Sequence, residues 1–315
     1  MPDAVVCIRG WQNRLFASPP SNCSKNAFDS TSQAAHHWGV RISIVTPSYR
    51  SSGWLKLCIA SVADQKVDSE HIVQDAGSDD GTLDWLPRES RVGAFVEKDS
   101  GMYDAINRGL RRAGGDIFAY LNCDEQYLPD ALSRVMRFFE RNPQVDVLFG
   151  DVIMVDDKGD YLYHRKMQVP LLYHTWTCHL STLSCATFFR RRIVTEHGML
   201  FDPKLRDVGD GEWMVRLLKH GVKMAVLGGF TSAFTFTGAN MSVGPNARRE
   251  AQELYLTAPP LARLLKPATV LHHRLRRWLG GMYSQKPFSY DIFTRSSPEQ
   301  RRHQEVARPD FRRSS

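Results

Sequence analysis

The chain lacks a long hydrophobic run. Its 315 residues contain no stretch of about 18 consecutive apolar residues, so we expect no transmembrane helix. The first apolar stretch covers only residues 5–8, which is too short for the core of a secretory signal peptide. We therefore expect a cytoplasmic protein, a location that includes the inner face of the cytoplasmic membrane.

Paired cysteines and glycine-rich phosphate loops are also missing. The six cysteines are scattered without a C-x-x-C pair, which indicates reduced thiols and gives no reason to expect zinc. No G-x-G-x-x-G and no G-x-x-x-x-G-K-[ST] follows the first predicted strand. These absences exclude the usual dinucleotide fingerprint and the P-loop.

Excess positive charge is confined to the C-terminal part of the chain. Residues 261–315 contain 12 Lys or Arg and 4 Asp or Glu, whereas the first 260 residues contain 29 basic and 30 acidic residues. A nearly neutral body does not predict a nucleic-acid-binding surface. The basic charge therefore belongs to a C-terminal appendage.

Apolar strands alternate with helical patterns from residue 41 onward. This order predicts a doubly wound α/β sheet with parallel strands, whose ligands bind beyond the carboxyl ends of the strands. Three predicted strands end in polar clusters, at residues 46–49, 75–78 and 122–125. We therefore expect a binding site at that edge.

Two adjacent acids, Asp124 and Glu125, follow the buried-strand pattern of residues 117–121. Carboxylates are the ligands that Mg²⁺ or Mn²⁺ prefers, and such an ion commonly bridges one or two carboxylates to substrate phosphates. A simpler interpretation is that such a pair caps a helix or lies in a solvated loop. The residue pattern alone leaves both interpretations open.

Five segments together resemble consecutive motifs of the family 2 glycosyltransferases, over about residues 41–245. They are VTPSYRSSGWLKLCIASVADQ, IVQDAGSDDGT, EKDSGMYDAINRGL, AYLNCDEQYLPDAL and DVGDGEWMVRLLKHG. The resemblance implies a GT-A fold: a single Rossmann-like, doubly wound mixed sheet with a C-terminal helical appendage. It also implies an inverting hexosyl- or N-acetylhexosaminyl-type transferase.

The resemblance implies a donor site in the first half of the chain. Thr46, Pro47 and Tyr49 match the loop that lines the nucleotide base pocket. Asp75 matches the acid that accepts a hydrogen bond from uracil, although it can instead open an Asx turn. Asp99 and Asp104 match the segment beside the donor ribose and diphosphate, with helix capping as the alternative.

The resemblance also implies a metal site and a catalytic base. Asp124 matches the metal-side acid of the D-x-D region, with Glu125 beside it as a further candidate. Asn122 stands where the first Asp of that motif is usual, and its amide is expected to contact the donor. Asp210 matches the general base, with Glu212 as the alternative, and Asp210 can also be a simple helix cap.

The implied reaction moves a sugar from a nucleotide-diphosphate donor, expected to be a uridine-diphosphate sugar, to a saccharide or lipid-linked saccharide acceptor. The implied cofactor is Mg²⁺ or Mn²⁺, and the implied setting is synthesis of bacterial surface polysaccharide or lipopolysaccharide. Two alternatives remain, namely a catalytically inactive nucleotide-sugar-binding protein and a nucleotidyltransferase. Presence of both Asp124 and Asp210 disfavours the inactive protein.

The predicted organisation has four parts. Residues 1–40 form a partly disordered extension, and residues 41–250 form the catalytic domain, with a donor half (41–150) and an acceptor half (151–250). Residues 251–285 form an amphipathic basic helical segment. The polar, Arg-rich residues 286–315 are expected to be disordered.

Apolar residues recur at helical spacing in residues 261–283, accompanied by Arg263, Lys266, Arg274, Arg276 and Arg277. Such a helix can bind a membrane surface rich in anionic lipid. It can equally pack its apolar stripe against the catalytic domain. Nucleic acid is not an expected partner, because no recognised binding motif accompanies the charge.

Overall fold

The computed structural model describes residues 40–238 and 244–311. The predicted N-terminal extension lies outside these residues up to position 39. The strands are β1 Ile42–Ser48, β2 Ser69–Asp75, β3 Gly93–Val96, β4 Ile117–Tyr120, β5 Glu125–Tyr127, β6 Val147–Asp156, β7 Tyr161–Arg165, β8 Thr187–Arg190, β9 Met224–Phe236, β10 Phe288–Thr294 and β11 Ser297–Val306. The α-helices are α1 Ser52–Ala63, α2 Thr82–Trp85, α3 Met102–Arg112, α4 Ala131–Arg141, α5 Leu172–Thr177, α6 Arg192–Thr195, α7 Gly209–Lys219, α8 Pro245–Leu256, α9 Pro260–Leu264 and α10 Lys266–Leu279.

One large mixed sheet organises the described chain. Its strand order is β3-β2-β1-β4-β8-β6-β9-β5, with β7 paired to β6 at the side. The first four strands in that order run parallel, and β8 pairs antiparallel with both β4 and β6. The predicted α/β class is therefore confirmed, with a parallel half joined to a mixed half at the β4–β8 pair.

The central strands are apolar because both faces of the sheet are covered. Every residue of β4 is buried, and Ile42, Ile44 and Val45 of β1 are fully buried. Continuous apolar runs of this kind are expected of parallel strands with helices on each face. Helix α3 packs closely on β1, since a side chain at Gly109 would collide with Val45.

The helical region after residue 244 leaves an apolar surface open to solvent. Pro267 lies in the first turn of α10, where a residue without an N–H is tolerated. Only His273 of α10 is buried, whereas Leu271 and Trp278 of the same helix are 68% and 66% exposed, and Leu264 of α9 is 75% exposed. The apolar stripe of α10 therefore does not pack into the core of the described chain.

The prediction of a disordered segment at 286–315 is wrong for residues 288–306, which form the β10–β11 hairpin. Tyr290 and Ile292 alternate along β10 and pack with residues of β6 and β9. The side chain of Arg301 is only 9% exposed and pairs with Asp64, and its guanidinium also donates to three backbone carbonyls. An arginine that looked solvated instead anchors the hairpin to the end of α1.

Candidate active site

The carboxyl ends of β1, β2 and β4 meet at one edge of the sheet. Ser48 pairs with Asp75 in the parallel register, and Val45 pairs with Tyr120. The Cys123 thiol lies 3.2 Å from the Pro47 carbonyl, close enough to donate to it. The three polar clusters predicted to share an edge therefore do share it.

Asp75 is fully buried, and its carboxylate accepts four hydrogen bonds. One oxygen accepts from the N–H groups of Gly77 and Ser78, and the other from the hydroxyls of Ser48 and Ser78. A carboxylate offers about four acceptor positions, so these partners occupy them all. Asp75 therefore organises the turn at the end of β2, which is the alternative that the sequence left open.

The predicted base-pocket residues divide into two groups. Thr46 is fully buried, and its hydroxyl lies 2.9 Å from Nε2 of His71, so its side chain faces the core. Tyr49 is 53% exposed, and the guanidinium of Arg50 lies 5.0 Å from its ring centroid. Pro47 precedes Tyr49 at the edge. Of the three predicted residues, Tyr49 alone presents a large exposed surface.

Asp99 and Asp104 order the segment that enters α3. One oxygen of Asp99 accepts from the Gly101 N–H, and burial raises the pKa of this carboxyl. Asp104 accepts from the N–H and hydroxyl of Ser100 and pairs with Arg108. Burial alone would raise the pKa of Asp104, but the Arg108 and Ser100 hydrogen bonds outweigh it and lower the pKa.

Asn122 and Asp124 lie just past β4 and are partly exposed. Burial raises the pKa of the Asp124 carboxyl. Oδ1 of Asn122 is buried and has no hydrogen-bond partner among the described residues. An unpaired buried oxygen is costly, so its position beside Asp124 favours a ligand that supplies a donor or a cation.

Glu125 points inward. It is fully buried, and its two oxygens accept from the Asn122 N–H and from the Ser184 hydroxyl. Burial, reinforced by the charge of Asp124, raises the pKa of Glu125 well above its ordinary value. Both oxygens are committed to the protein, so Glu125 shapes the loop, and Asp124 is the better candidate for a metal ligand.

Asp210 lies in the first turn of α7, where the helix dipole favours a carboxylate. Its Oδ1 accepts from the Gly211 N–H at 2.8 Å, and the Tyr103 hydroxyl lies 3.4 Å away. No hydrogen bond to Oδ2 is found within the described residues. Burial raises the pKa of Asp210 to about 6, although the bonds from Gly211 and Tyr103 act against that rise.

Glu212 is differently engaged, because both of its oxygens accept from Nε of Arg216 one turn later in α7. Arg216 also donates to the Leu200 carbonyl, which holds the pair in place. Asp210, by contrast, keeps one oxygen without a hydrogen bond among the described residues. The geometry therefore favours Asp210 over Glu212 as the base.

Two residues that position Asp210 were not predicted. Tyr103 fits against Gly209 so closely that any side chain there would collide with its ring, and its hydroxyl accepts from the Asp210 N–H. Glu250, on α8, is 2% exposed and accepts from the N–H groups of residues 206–208, just before α7. Tyr103 lies within a recognised motif, whereas nothing near Glu250 in sequence marks its role.

The two halves of the chain meet around these acids. The rings of Tyr103 and Tyr120 both contact Phe201, which precedes α7. Burial raises the pKa of Tyr120, and the negative charges of Asp210 and Glu125 raise it further. The candidate base and the acidic loop after β4 therefore act electrostatically on the same buried ring.

The chain is similar to known proteins in both sequence and fold. The Glycosyl transferase family 2 model matches residues 43–199. The chain is 36% identical over 185 residues to the PGL/p-HBAD biosynthesis glycosyltransferase of Mycobacterium tuberculosis (strain ATCC 25618 / H37Rv). This alignment covers 55% of this chain and 68% of that protein.

Solved structures match the fold. Staphylococcus aureus TarS 1–349 in complex with UDP-GlcNAc aligns with a TM-score of 0.56 at 18% identity, covering 76% of this chain and 73% of that one. Against the longer TarS chain the alignment covers only 43% of that chain. The Pyrobaculum calidifontis mannosyltransferase PcManGT, solved with GDP-Man and Mn²⁺, aligns with a TM-score of 0.50 at 17% identity, covering 77% and 72%.

These structural likenesses establish the GT-A fold, and the sequence relationship establishes the enzyme class. The acids at the strand edge and at the start of α7 are then the candidates for the residues that carry its chemistry. The chain is a glycosyltransferase that belongs to Glycosyl transferase family 2.

Proposed function

We propose that this enzyme transfers one sugar from a uridine-diphosphate donor to an acceptor hydroxyl, with inversion at the anomeric carbon. The observation that carries the proposal is Asp210, a partly buried carboxylate with one oxygen unengaged by the described protein and a pKa raised to about 6. A base with a pKa close to the working pH is well suited to proton removal.

In the proposed reaction the acceptor oxygen attacks the anomeric carbon while its proton passes to Oδ2 of Asp210. The bond between that carbon and the diphosphate oxygen breaks, and the diphosphate leaves with the electron pair. The attack and the departure take place on opposite faces, which inverts the configuration. Tyr103 holds the carboxylate in place, and no covalent sugar–enzyme intermediate is required.

A divalent cation, Mg²⁺ or Mn²⁺, fits the oxygen ligands at the end of β4. The carboxylate of Asp124 and the unpartnered Oδ1 of Asn122 are hard oxygen donors, which suit these ions. Asp124 would hold the ion. Oδ1 of Asn122 would accept a hydrogen bond from the nucleotide-sugar donor beside it. When bound, the ion would stabilise negative charge on the leaving diphosphate. Glu125 would take no direct part.

The uridine-diphosphate proposal rests on the fold shared with TarS, which was solved in complex with UDP-GlcNAc. With every acceptor position of Asp75 used, we assign it to holding the turn at Gly77 and Ser78. Tyr49 is then the side chain best placed to stack on the base. The PcManGT neighbour binds GDP-Man, so the nucleotide requires a direct test.

Calorimetric titration with UDP, GDP and TDP, each with Mn²⁺, tests the donor. We expect UDP to bind at least tenfold more tightly than GDP, and the Tyr49→Ala variant to bind UDP more weakly. Preference for GDP would refute the donor assignment. Product analysis with the preferred donor sugar then reads the anomeric configuration, and retention would refute the in-line mechanism.

We also place the enzyme at an anionic membrane surface, where it would meet a lipid-linked saccharide acceptor of surface-polysaccharide synthesis. Support comes from the exposed leucines and Trp278 of α9 and α10, which lie beside the cationic Arg263, Lys266, Arg274 and Arg277. Exposed apolar side chains next to basic ones suit an interface rich in anionic lipid. No described helix is long and apolar enough to cross a membrane.

Flotation of the full chain with vesicles tests this placement. Binding to vesicles that contain phosphatidylglycerol should fall at high salt and should fall again in a Leu271→Ser, Trp278→Ser double variant. Val96→Ser is the matched control, because Val96 is another exposed apolar residue, 44% exposed, on β3. Equal flotation of all three proteins would contradict the placement.

A further inference from the structure

Three histidines meet where α5 and α10 pack together. His174 lies on α5, His179 follows it, and His273 lies on α10. The ring centroids of His174 and His273 are 3.8 Å apart, and those of His174 and His179 are 4.7 Å apart. Each ring offers one nitrogen, and these three nitrogens lie within 4.8 Å of one another.

One buried ring nitrogen of this cluster lacks a hydrogen-bond partner in the described chain. His174 is 1% exposed and His273 is 6% exposed, and Nδ1 of His174 has no hydrogen-bond partner in the described chain. Buried polar atoms are normally paired, so an unpaired one calls for an explanation such as a missing ion. Burial lowers the pKa of His174 to about 4 and that of His273 to about 3, and it also lowers the pKa of His179.

We propose that His174, His179 and His273 bind one Zn²⁺-class transition-metal ion, a site separate from the divalent cation of the donor site. Imidazole nitrogens suit zinc and its neighbours in the transition series, and three histidines with one open position form a known zinc site. The open position would lie beside His179, the one exposed member of the cluster. Only a neutral imidazole binds a metal. Burial lowers the pKa of each of the three histidines, so their rings are neutral near pH 7.

The geometry requires a modest closure. Zn–N bonds of about 2.0–2.1 Å in a tetrahedral site bring the ligand nitrogens to about 3.4 Å from one another. The three nitrogens therefore have to approach by roughly an ångström. His179 lies outside α5 and is exposed, so its ring can make most of that movement. The stacked rings of His174 and His273, with centroids 3.8 Å apart, need only to tilt so that both nitrogens face the ion.

Nearby positive charges set a limit on affinity. Arg276 and Arg277 on α10 lower the pKa values of His174 and His273, and Arg165 and Lys266 act on His179. Arg276 donates to the Val169 carbonyl, and Arg277 lies over a tyrosine ring. These groups would repel a dication, so we expect micromolar rather than nanomolar binding. A bound ion would fasten α10, which carries the proposed membrane surface, to α5.

Metal binding by the full chain tests the site. Chelator-stripped protein is titrated with Zn²⁺ against a chromophoric competitor, and with Co²⁺ for its visible spectrum, in an Asp124→Ala background that removes the donor-site ligand. We expect one Zn²⁺ per chain and an intense Co²⁺ spectrum of nitrogen-rich tetrahedral type. The His273→Ala variant should bind at least tenfold more weakly.

His272→Ala is the matched control, because His272 is exposed and adjacent in sequence but outside the cluster. His272→Ala should bind Zn²⁺ as tightly as the Asp124→Ala parent does. Zn²⁺ should raise the melting temperature of the parent and of His272→Ala, but not that of His273→Ala. His179→Ala, which alters only an exposed ring, should also lose binding and covers the case in which His273→Ala fails to fold. Equal binding by the parent, His179→Ala and His272→Ala, or no binding by the folded parent, would overturn the proposal.

Discussion

Replacing Asp210 by Asn removes the charge of the proposed base and keeps its shape. Burial raises the pKa of this carboxyl to about 6 from an ordinary value of 3.8, so the folded chain holds the proton more tightly than the unfolded chain. Ionisation of Asp210 therefore destabilises the fold progressively as the pH rises from about 4 to about 6. Discounted for partial exposure, the cost above that range is about 1–2 kcal/mol.

The same substitution should therefore stabilise the protein and inactivate it. At about pH 8 we expect the free energy of unfolding of Asp210→Asn to exceed that of the wild type by about 1–2 kcal/mol, and near pH 4 the difference should vanish. The turnover number should fall by roughly 10²–10⁴, the usual contribution of a general base. Donor affinity, measured by calorimetry, should be unchanged.

Urea unfolding at both pH values and a pH–rate profile check these expectations. The wild-type rate should decline as the pH falls through about 6, because the base must be ionised to accept a proton. Glu212→Gln is the control, since its carboxylate is paired with Arg216, and it should retain near-normal turnover. Normal turnover in Asp210→Asn together with lost turnover in Glu212→Gln would identify Glu212 as the base instead. Equal stability of Asp210→Asn and the wild type at pH 8 would refute the argument that burial raises the pKa of Asp210.

Four further expectations follow from individual contacts. Tyr103→Phe removes a hydroxyl that favours the ionised form of Asp210, so the acidic limb of the rate profile should move upward by about half a pH unit. Asp124→Ala should abolish transfer, as should excess chelator, and full activity in chelator would exclude a metal-dependent reaction. Glu250→Gln should lower the turnover number about tenfold with donor affinity unchanged, because the backbone N–H groups before α7 lose an acceptor. An effect on donor affinity alone would contradict that role. Arg301→Ala should lower the urea midpoint by an amount equivalent to about 2–3 kcal/mol, since the carbonyls beneath the hairpin lose their donor.

The sequence predicted the sheet and the shared polar edge of its parallel strands because both depend on local patterns. Apolar runs followed at once by polar residues mark where buried strands end, and the parallel arrangement brings those ends together. Asp75 shows the limit of that reasoning. Its place at the edge was readable, whereas the use of all its acceptor positions by Ser48, Gly77 and Ser78 depends on the folded turn.

The C-terminal segment was wrongly predicted to be disordered because long-range contacts, rather than local composition, determine its structure. Arginines at the C-terminal end look solvated in a polar sequence, yet Arg301 finds carbonyl acceptors more than 170 positions away in sequence, at Tyr127. The alternation of Phe288, Tyr290 and Ile292 carried a period-two signal for a strand, which the surrounding charge obscured. His174 and His273 likewise lie on separate helices, so no spacing rule could have paired them.

The location of the proposed catalytic acids follows from the order of the strands. From β1 the chain adds β2 and β3 on one side and β4 on the other, which is a topological switch point. Loops that leave the carboxyl ends of β1 and β4 consequently diverge. Tyr49 lies in the first loop, and Asn122, whose buried oxygen is unpaired in the described chain, lies in the second. The antiparallel β4–β8 pair then joins the mixed half of the sheet to the parallel half, and Phe201, just before α7, packs against Tyr103 and Tyr120. Packing between the two halves therefore positions the proposed base, whose pKa is raised by burial rather than by any single charged neighbour.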